Sequence, residues 1–131
     1  RANRFVRDLI KVYNHHKCFY ELDFNPRGFR WIDQTNYNQS IFSFVRQGKA
    51  EDELAVVVLN MTPNAYESFF VGVPRKGIYE EILNSDKDIY GGSNVYNGLP
   101  AKTKDIPNHN FGQSIEIKIS PLSIAIFKFR G

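Results

Sequence analysis

At 131 residues, with 42% hydrophobic and 24% charged residues, the chain has the make-up of one globular domain, with room for at most a short extra element at one end. A net charge of only +3, with Lys and Arg scattered among acids and no nucleic-acid-binding motif, argues against a DNA or RNA partner. The apolar runs are too short to span a bilayer and no signal peptide is visible, which argues against a membrane partner.

The first 16 residues predict a helix. Phe5, Val6, Leu9, Ile10 and Tyr13 recur at three- and four-residue spacing and line one face, while Arg4, Arg7, Asp8 and Lys11 take the other. No N-cap precedes this helix and the first residue is Arg1, so the chain reads as a piece of a longer one. A lone helix of this length is marginal, and its apolar stripe needs something to lie on. Residues 17–38 read as a linker with the aromatic anchors Phe19, Tyr20, Phe24, Phe29 and Trp31, and Asn25-Pro26-Arg27-Gly28 has turn chemistry.

From residue 40 the pattern is that of strands. Ser40–Arg46 is the first. Leu54–Leu59 is an unbroken apolar run suited to a strand buried on both faces. Tyr66–Val73 and Ile78–Leu83 follow, each bounded by Pro or Gly turns. Ile115, Ile117 and Ile119 alternate with Glu116 and Lys118, and Ser120-Pro121 turns into Leu122–Phe129. Short strands with turn signals and no helical period between them predict a mainly β fold, an antiparallel β-sandwich preceded by one N-terminal α-helix. The expected division is residues 1–38 as terminal helix and linker, and 39–131 as the sandwich. The Asn/Gly/Ser/Pro-rich stretch 84–112 is long for a structureless loop, and a short strand near Ala101–Ile106 is one way to account for it.

No catalytic motif appears: no G-x-S-x-G, no H-E-x-x-H, no P-loop and no paired CxxC. His15 and His16 are adjacent on a helix and point apart, so they make poor co-ligands. Glu80 and Glu81 face opposite sides of a strand and cannot flank one glycosidic bond. Asp86-Lys87-Asp88 with Gly91 begins like a calcium loop, but Asn97 stands where the closing Glu is required. The single cysteine, Cys18, fits a reducing, cytoplasmic compartment, and the sequons at Asn38 and Asn60 carry little weight without other secretory signs. Trp31 is the residue of most interest. It is read either as an anchor pinning the linker or as a stacking platform for a sugar ring, with Tyr90 and Tyr96 as weaker platforms of the same kind.

Several segments taken in order resemble one family. Tyr20-Glu21-Leu22-Asp23-Phe24, Gly28-Phe29, Trp31-Ile32-Asp33, Ser43-Phe44-Val45-Arg46, Thr62-Pro63, Gly72-Val73-Pro74, Glu80–Asp86, Tyr90–Asn94 and Ser120-Pro121-Leu122 together are similar to the C-terminal domain of bacterial 1,4-α-glucan (glycogen) branching enzymes, of the α-amylase superfamily. Tyr79, where many relatives have Trp, and Asn110-Phe111 beside His109 depart from the pattern. The resemblance implies a parent glycosyltransferase whose aspartate and glutamate catalytic groups lie on an upstream β/α barrel, with none of them in this chain. It also implies that no metal or organic cofactor is required. The expected partners are that barrel, in cis, and an α-glucan such as glycogen or malto-oligosaccharide held weakly at Trp31. The alternatives are the C-terminal domain of a hydrolase of the same superfamily, a free carbohydrate-binding module, and a protein-interaction sandwich.

Overall fold

The computed structural model describes residues 2–22, 25–33, 40–86 and 96–131. One helix, α1 (Ala2–His15), and two single 3-10 turns (Lys17–Phe19 and Pro26–Gly28) precede eight strands. These are β1 (Phe29–Asp33), β2 (Ile41–Gln47), β3 (Leu54–Asn60), β4 (Tyr66–Val73), β5 (Ile78–Asn84), β6 (Ala101–Lys102), β7 (Gln113–Ile119) and β8 (Ser123–Phe129). All pairings are antiparallel. One sheet has the order β1-β2-β3-β8-β5-β6, and the other pairs β4 with β7. The mainly β, antiparallel architecture with one N-terminal helix is the one the turn-separated apolar runs predict.

Period-2 alternation sorts side chains to the two faces of the larger sheet. Ile41, Val45, Leu54, Val56, Val58, Tyr79 and Phe127 point inward and meet Val71, Val73, Ile115, Ile117 and Ile119 of the smaller sheet. The opposite face carries Ala55, Val57, Leu83 and Ile126, covered by Cys18 and Phe19 and by Phe5, Leu9 and Val12 of α1. β3 is therefore buried on both sides because its sheet is the middle of three layers. In β5 a bulge between Glu81 and Leu83 shifts the phase by one, so that Ile82 and Leu83 both join the outer cluster and Asn84 is turned into the interior.

Two expectations need correction. Residues 29–33, read as linker, form the edge strand β1, paired with β2 through Phe29↔Arg46, Arg30↔Val45 and Trp31↔Phe44. Five residues after a turn carry too short an alternation to be legible as a strand. The apolar stripe of α1 is also divided. Phe5 and Leu9, together with Val12, pack on this chain's own sheet, whereas Val6 and Ile10 are 50% and 53% exposed. Three- and four-residue spacing drew a stripe wider than one contact line, and only its inner edge meets the sheet.

The short strand expected near 101–106 is β6, followed by a bridge between Lys104 and Ser114. Beyond it, Asn108 and Phe111 exchange backbone hydrogen bonds at 3.0 and 2.9 Å around His109 and Asn110, both at positive φ, which is a type I′ turn. Among the described residues, no helix is long and apolar enough to cross a membrane.

Candidate functional site

The approach to Trp31 is set by the turn before it. Asn25 Oδ1 accepts from the Arg27 N–H at 2.9 Å and Pro26 opens the 3-10 turn. Gly28 ends it, because a Cβ there would lie 2.3 Å from the Leu22 carbonyl oxygen. β1 then alternates. Ile32 turns into the inter-sheet core and Arg30 lies over the Phe111 ring, 5.0 Å from its centroid, while Phe29 and Trp31 face outward. Trp31 is 43% exposed.

Its ring stands edge-on to Phe29 (5.3 Å, 88°) and to Phe44 (5.8 Å, 78°), and Phe29 and Phe44 stack on each other at 4.8 Å. The two phenyl rings pack at right angles to the indole, which stays partly exposed on an edge strand. An indole suits the apolar side of a pyranose ring. Because the neighbouring rings are perpendicular to it, the platform is one ring wide. Phe29 and Phe44 were legible as apolar residues but not as its supports, since their contact depends on the β1–β2 register.

The other sequence candidates lie elsewhere. Tyr96 is 39% exposed, but its neighbour Asn97 donates through Nδ2 to Glu81 Oε2 at 2.8 Å and to the Lys118 carbonyl at 3.0 Å. That ties it to β5 and β7. β2, β3 and β8 separate β5 from β1, so the strand that holds Asn97 lies roughly 19 Å from the strand of Trp31, at about 4.8 Å per strand step. Tyr90 lies outside the described residues, as does most of the calcium-like stretch after Asp86. Glu80 and Glu81 are both engaged. Glu80 accepts from Arg130 Nε at 2.8 Å, and Glu81 accepts from Asn97 and Asn84. His15 and His16 stand edge to face. Among the described residues no cluster of three or more His, Cys, Asp or Glu could hold a metal ion.

The departures from the family pattern have structural accounts: Asn110 takes a positive φ in its turn and Phe111 packs on the inter-sheet core under Arg30. Tyr79 is fully buried against Phe129, its hydroxyl donates to the Arg75 carbonyl at 2.9 Å, and burial pushes its phenol well above the ordinary range. His109 Nδ1 accepts from the Gly72 N–H at 3.1 Å and so clamps its turn to β4.

A buried polar node joins the segment after α1 to the sheet. Lys128, whose side chain is 7% exposed, pairs with Glu53 at 3.3 Å, and Glu53 also accepts from the Cys18 N–H at 3.2 Å. Burial alone would raise the Glu53 carboxyl. The Lys128 charge and the hydrogen bonds from Lys128 and Cys18 outweigh it and hold the group below its ordinary value. Burial first, and the Glu53 charge second, push the Cys18 thiol up to about 12.

A family model for the α-amylase C-terminal all-β domain matches residues 31–130, from Trp31 to the end of the last strand. The chain belongs to this family. Its similarity to members of the curated set is close. It is 44% identical over 124 residues to a protein named 1,4-alpha-glucan branching enzyme GlgB from Bacillus cereus (strain G9842), which covers 95% of this chain and 19% of the relative. It is 43% identical over 126 residues to the protein of the same name from Geobacillus stearothermophilus, covering 96% of this chain and 20% of the relative. The α-amylase C-terminal domain thus spans, with its helix, about a fifth of the length of the curated relatives it matches.

Proposed function

We propose that this chain is the non-catalytic C-terminal domain of a 1,4-α-glucan branching enzyme, that it packs on the parent's catalytic barrel, and that it holds α-glucan weakly at Trp31. The observation that carries the reading is the 44% identity along 95% of the chain to a protein of that name. The catalytic carboxylates of such a parent act upstream. There they cleave an α-1,4 bond, hold the cut chain as a covalent glycosyl-enzyme and pass it to a 6-hydroxyl. The site is a cytoplasmic one, in keeping with a single, buried, free thiol. We place the start of the β domain at β1 rather than after residue 38, because β1 is paired with β2. In this reading α1 and the turns after it are the end of the catalytic portion, and the exposed Val6 and Ile10 meet the rest of it.

Trp31 is supported as the glucan contact by its partial exposure and by its packing against Phe29 and Phe44. One aromatic platform adds about 1 kcal/mol beyond burial, so affinity for a malto-oligosaccharide is expected near the millimolar range. Because Trp31 is the chain's one Trp, maltoheptaose titration followed by indole fluorescence reads the site directly. Trp31→Ala is expected to abolish binding measured by calorimetry, and undiminished binding would move the site elsewhere. The 131-residue chain alone is expected to leave amylose unchanged, whereas the longer protein carrying it forms α-1,6 branches. If that longer protein released reducing ends without branching, the parent would be a hydrolase.

A further inference from the structure

We infer that the cleft at the open corner of the sandwich binds a phosphoryl group carried on a hexose. The cleft lies between the Pro26–Gly28 turn, the β2–β3 turn and the β4–β5 turn. It has two lobes, of about 420 and 350 Å³, that share Arg27, Arg30 and Gln47. Each is within the roughly 300–1,000 Å³ typical of small-ligand sites. Core residues Val45 and Leu54 line it, and Phe29 contributes an aromatic side. Its rim carries Arg27, Lys49 and Arg75 from three separate turns and Arg30 from β1.

Among the described residues, the ion pair on this rim is that of Arg75 with Glu51, at 3.3 Å. Glu21 adds a second carboxylate beside it, its Oε1 accepting from the Lys49 backbone N–H at 2.8 Å. Four cations therefore face two carboxylates, Glu51 and Glu21, and two cations are in excess. A carboxylate is satisfied by one guanidinium, whereas a phosphate monoester carries about −1.5 to −2 charges and three acceptor oxygens, and so matches several cations at once. Two of the guanidinium groups are already held in place, Arg30 over the Phe111 ring and Arg75 over the Phe129 ring at 5.8 Å, which lowers the ordering cost of binding. The apolar lining and the Phe29 ring suit the carbon face of a sugar.

The phosphoryl group has two sources, a free hexose phosphate or an ester on a glucan chain. Phe29 touches both the cleft and the Trp31 ring, so a glucan lying on Trp31 can bring an ester to it. The cleft itself does not rest on the Trp31 reading. The test is a heteronuclear NMR titration of the 131-residue chain, following backbone amides and arginine Nε–H signals, with glucose 6-phosphate, glucose, inorganic phosphate and a phosphorylated malto-oligosaccharide. Glucose 6-phosphate is expected to shift Arg27, Arg30, Lys49 and Arg75 and to bind more tightly than glucose or inorganic phosphate. An Arg27→Gln/Arg30→Gln double variant, with its signal dispersion retained, is expected to bind at least about tenfold more weakly. Trp31→Ala is expected to leave glucose 6-phosphate binding intact, so that loss of the cleft and loss of the Trp31 platform are read separately. A phosphorylated malto-oligosaccharide that needs both Trp31 and the two arginines identifies the glucan ester as the source. One that binds no better than its unphosphorylated form identifies the free hexose phosphate. Shifts confined to other residues, equal binding of glucose or of inorganic phosphate, or an unaffected double variant would overturn the proposal.

Discussion

Asn60 is a buried amide with every hydrogen-bonding group engaged. Its Nδ2 donates to the carbonyls of Asn64 and Ser120, both at 2.8 Å, and its Oδ1 accepts from the Thr62 N–H at 2.9 Å and hydroxyl at 2.7 Å. It thereby ties the end of β3 to the turn before β8. In the folded chain both Nδ2 hydrogen bonds of Asn60, the asparagine of the second sequon, are therefore used within the domain. Asn60→Ala leaves buried acceptors and a donor without partners and is expected to cost about 2–4 kcal/mol in urea unfolding. Glu53 makes a second residue-scale prediction. Its carboxyl is held below its ordinary value near 4.5, so the folded state favours the ionised form. The stability this contributes is complete above that value and is lost as pH falls through the lower, folded one. Unfolding midpoints followed downward from pH 5 should fall in the parent chain and flatten in Glu53→Gln. In the same node the Cys18 thiol, raised to about 12 and fully buried, is expected to resist alkylation until the chain unfolds.

The turn formed by Asn108–Phe111 shows how an element can depend on a missing side chain. A Cβ on Gly72 would stand 2.1 Å from the Asn108 carbonyl oxygen, so only glycine lets this turn lie on β4. There Asn108 Nδ2 donates to the Phe70 carbonyl at 2.8 Å and His109 accepts from Gly72. Gly72→Ala must push the turn off the strand and break both bonds. It is expected to destabilise the domain by about 1–3 kcal/mol, with amide shifts concentrated at residues 70–73 and 107–112. Those contacts also explain what was legible beforehand. β3, β4, β7 and β8 announce themselves by local pattern, because alternation or an unbroken β-branched run is a property of the segment alone. β1 does not, since its identity as a strand comes from β2. The bracing of Trp31 and the cationic cleft are invisible for the same reason. Arg27, Lys49 and Arg75 are far apart in the chain, and only the meeting of three turns makes them neighbours. Trp31 itself was legible, as a lone indole next to a turn.

At the scale of the molecule, the larger sheet has two apolar faces and needs two covers. The smaller sheet covers one, and α1 with Cys18 and Phe19 covers the other. The helix is thus packed into this chain through Phe5, Leu9 and Val12, even though Val6 and Ile10 are exposed. Among the described residues, the core between the sheets uses none from α1, so removal of residues 1–16 should leave the sandwich topology in place. It should not leave stability unchanged. Three partly buried apolar side chains contribute roughly 1 kcal/mol each, about half the value of full burial. A loss near 3 kcal/mol in a domain of this size lowers the thermal midpoint by about 10 °C. Calorimetric scans of the full chain and of one beginning at Lys17 measure this directly. A trimmed chain with native strand signals and a midpoint lowered by that amount fits a helix that caps the outer cluster. An unchanged midpoint would mean that α1 belongs wholly to a surface outside the chain. Loss of all folded signal would mean that the outer cluster, not the inter-sheet core, holds the larger sheet together.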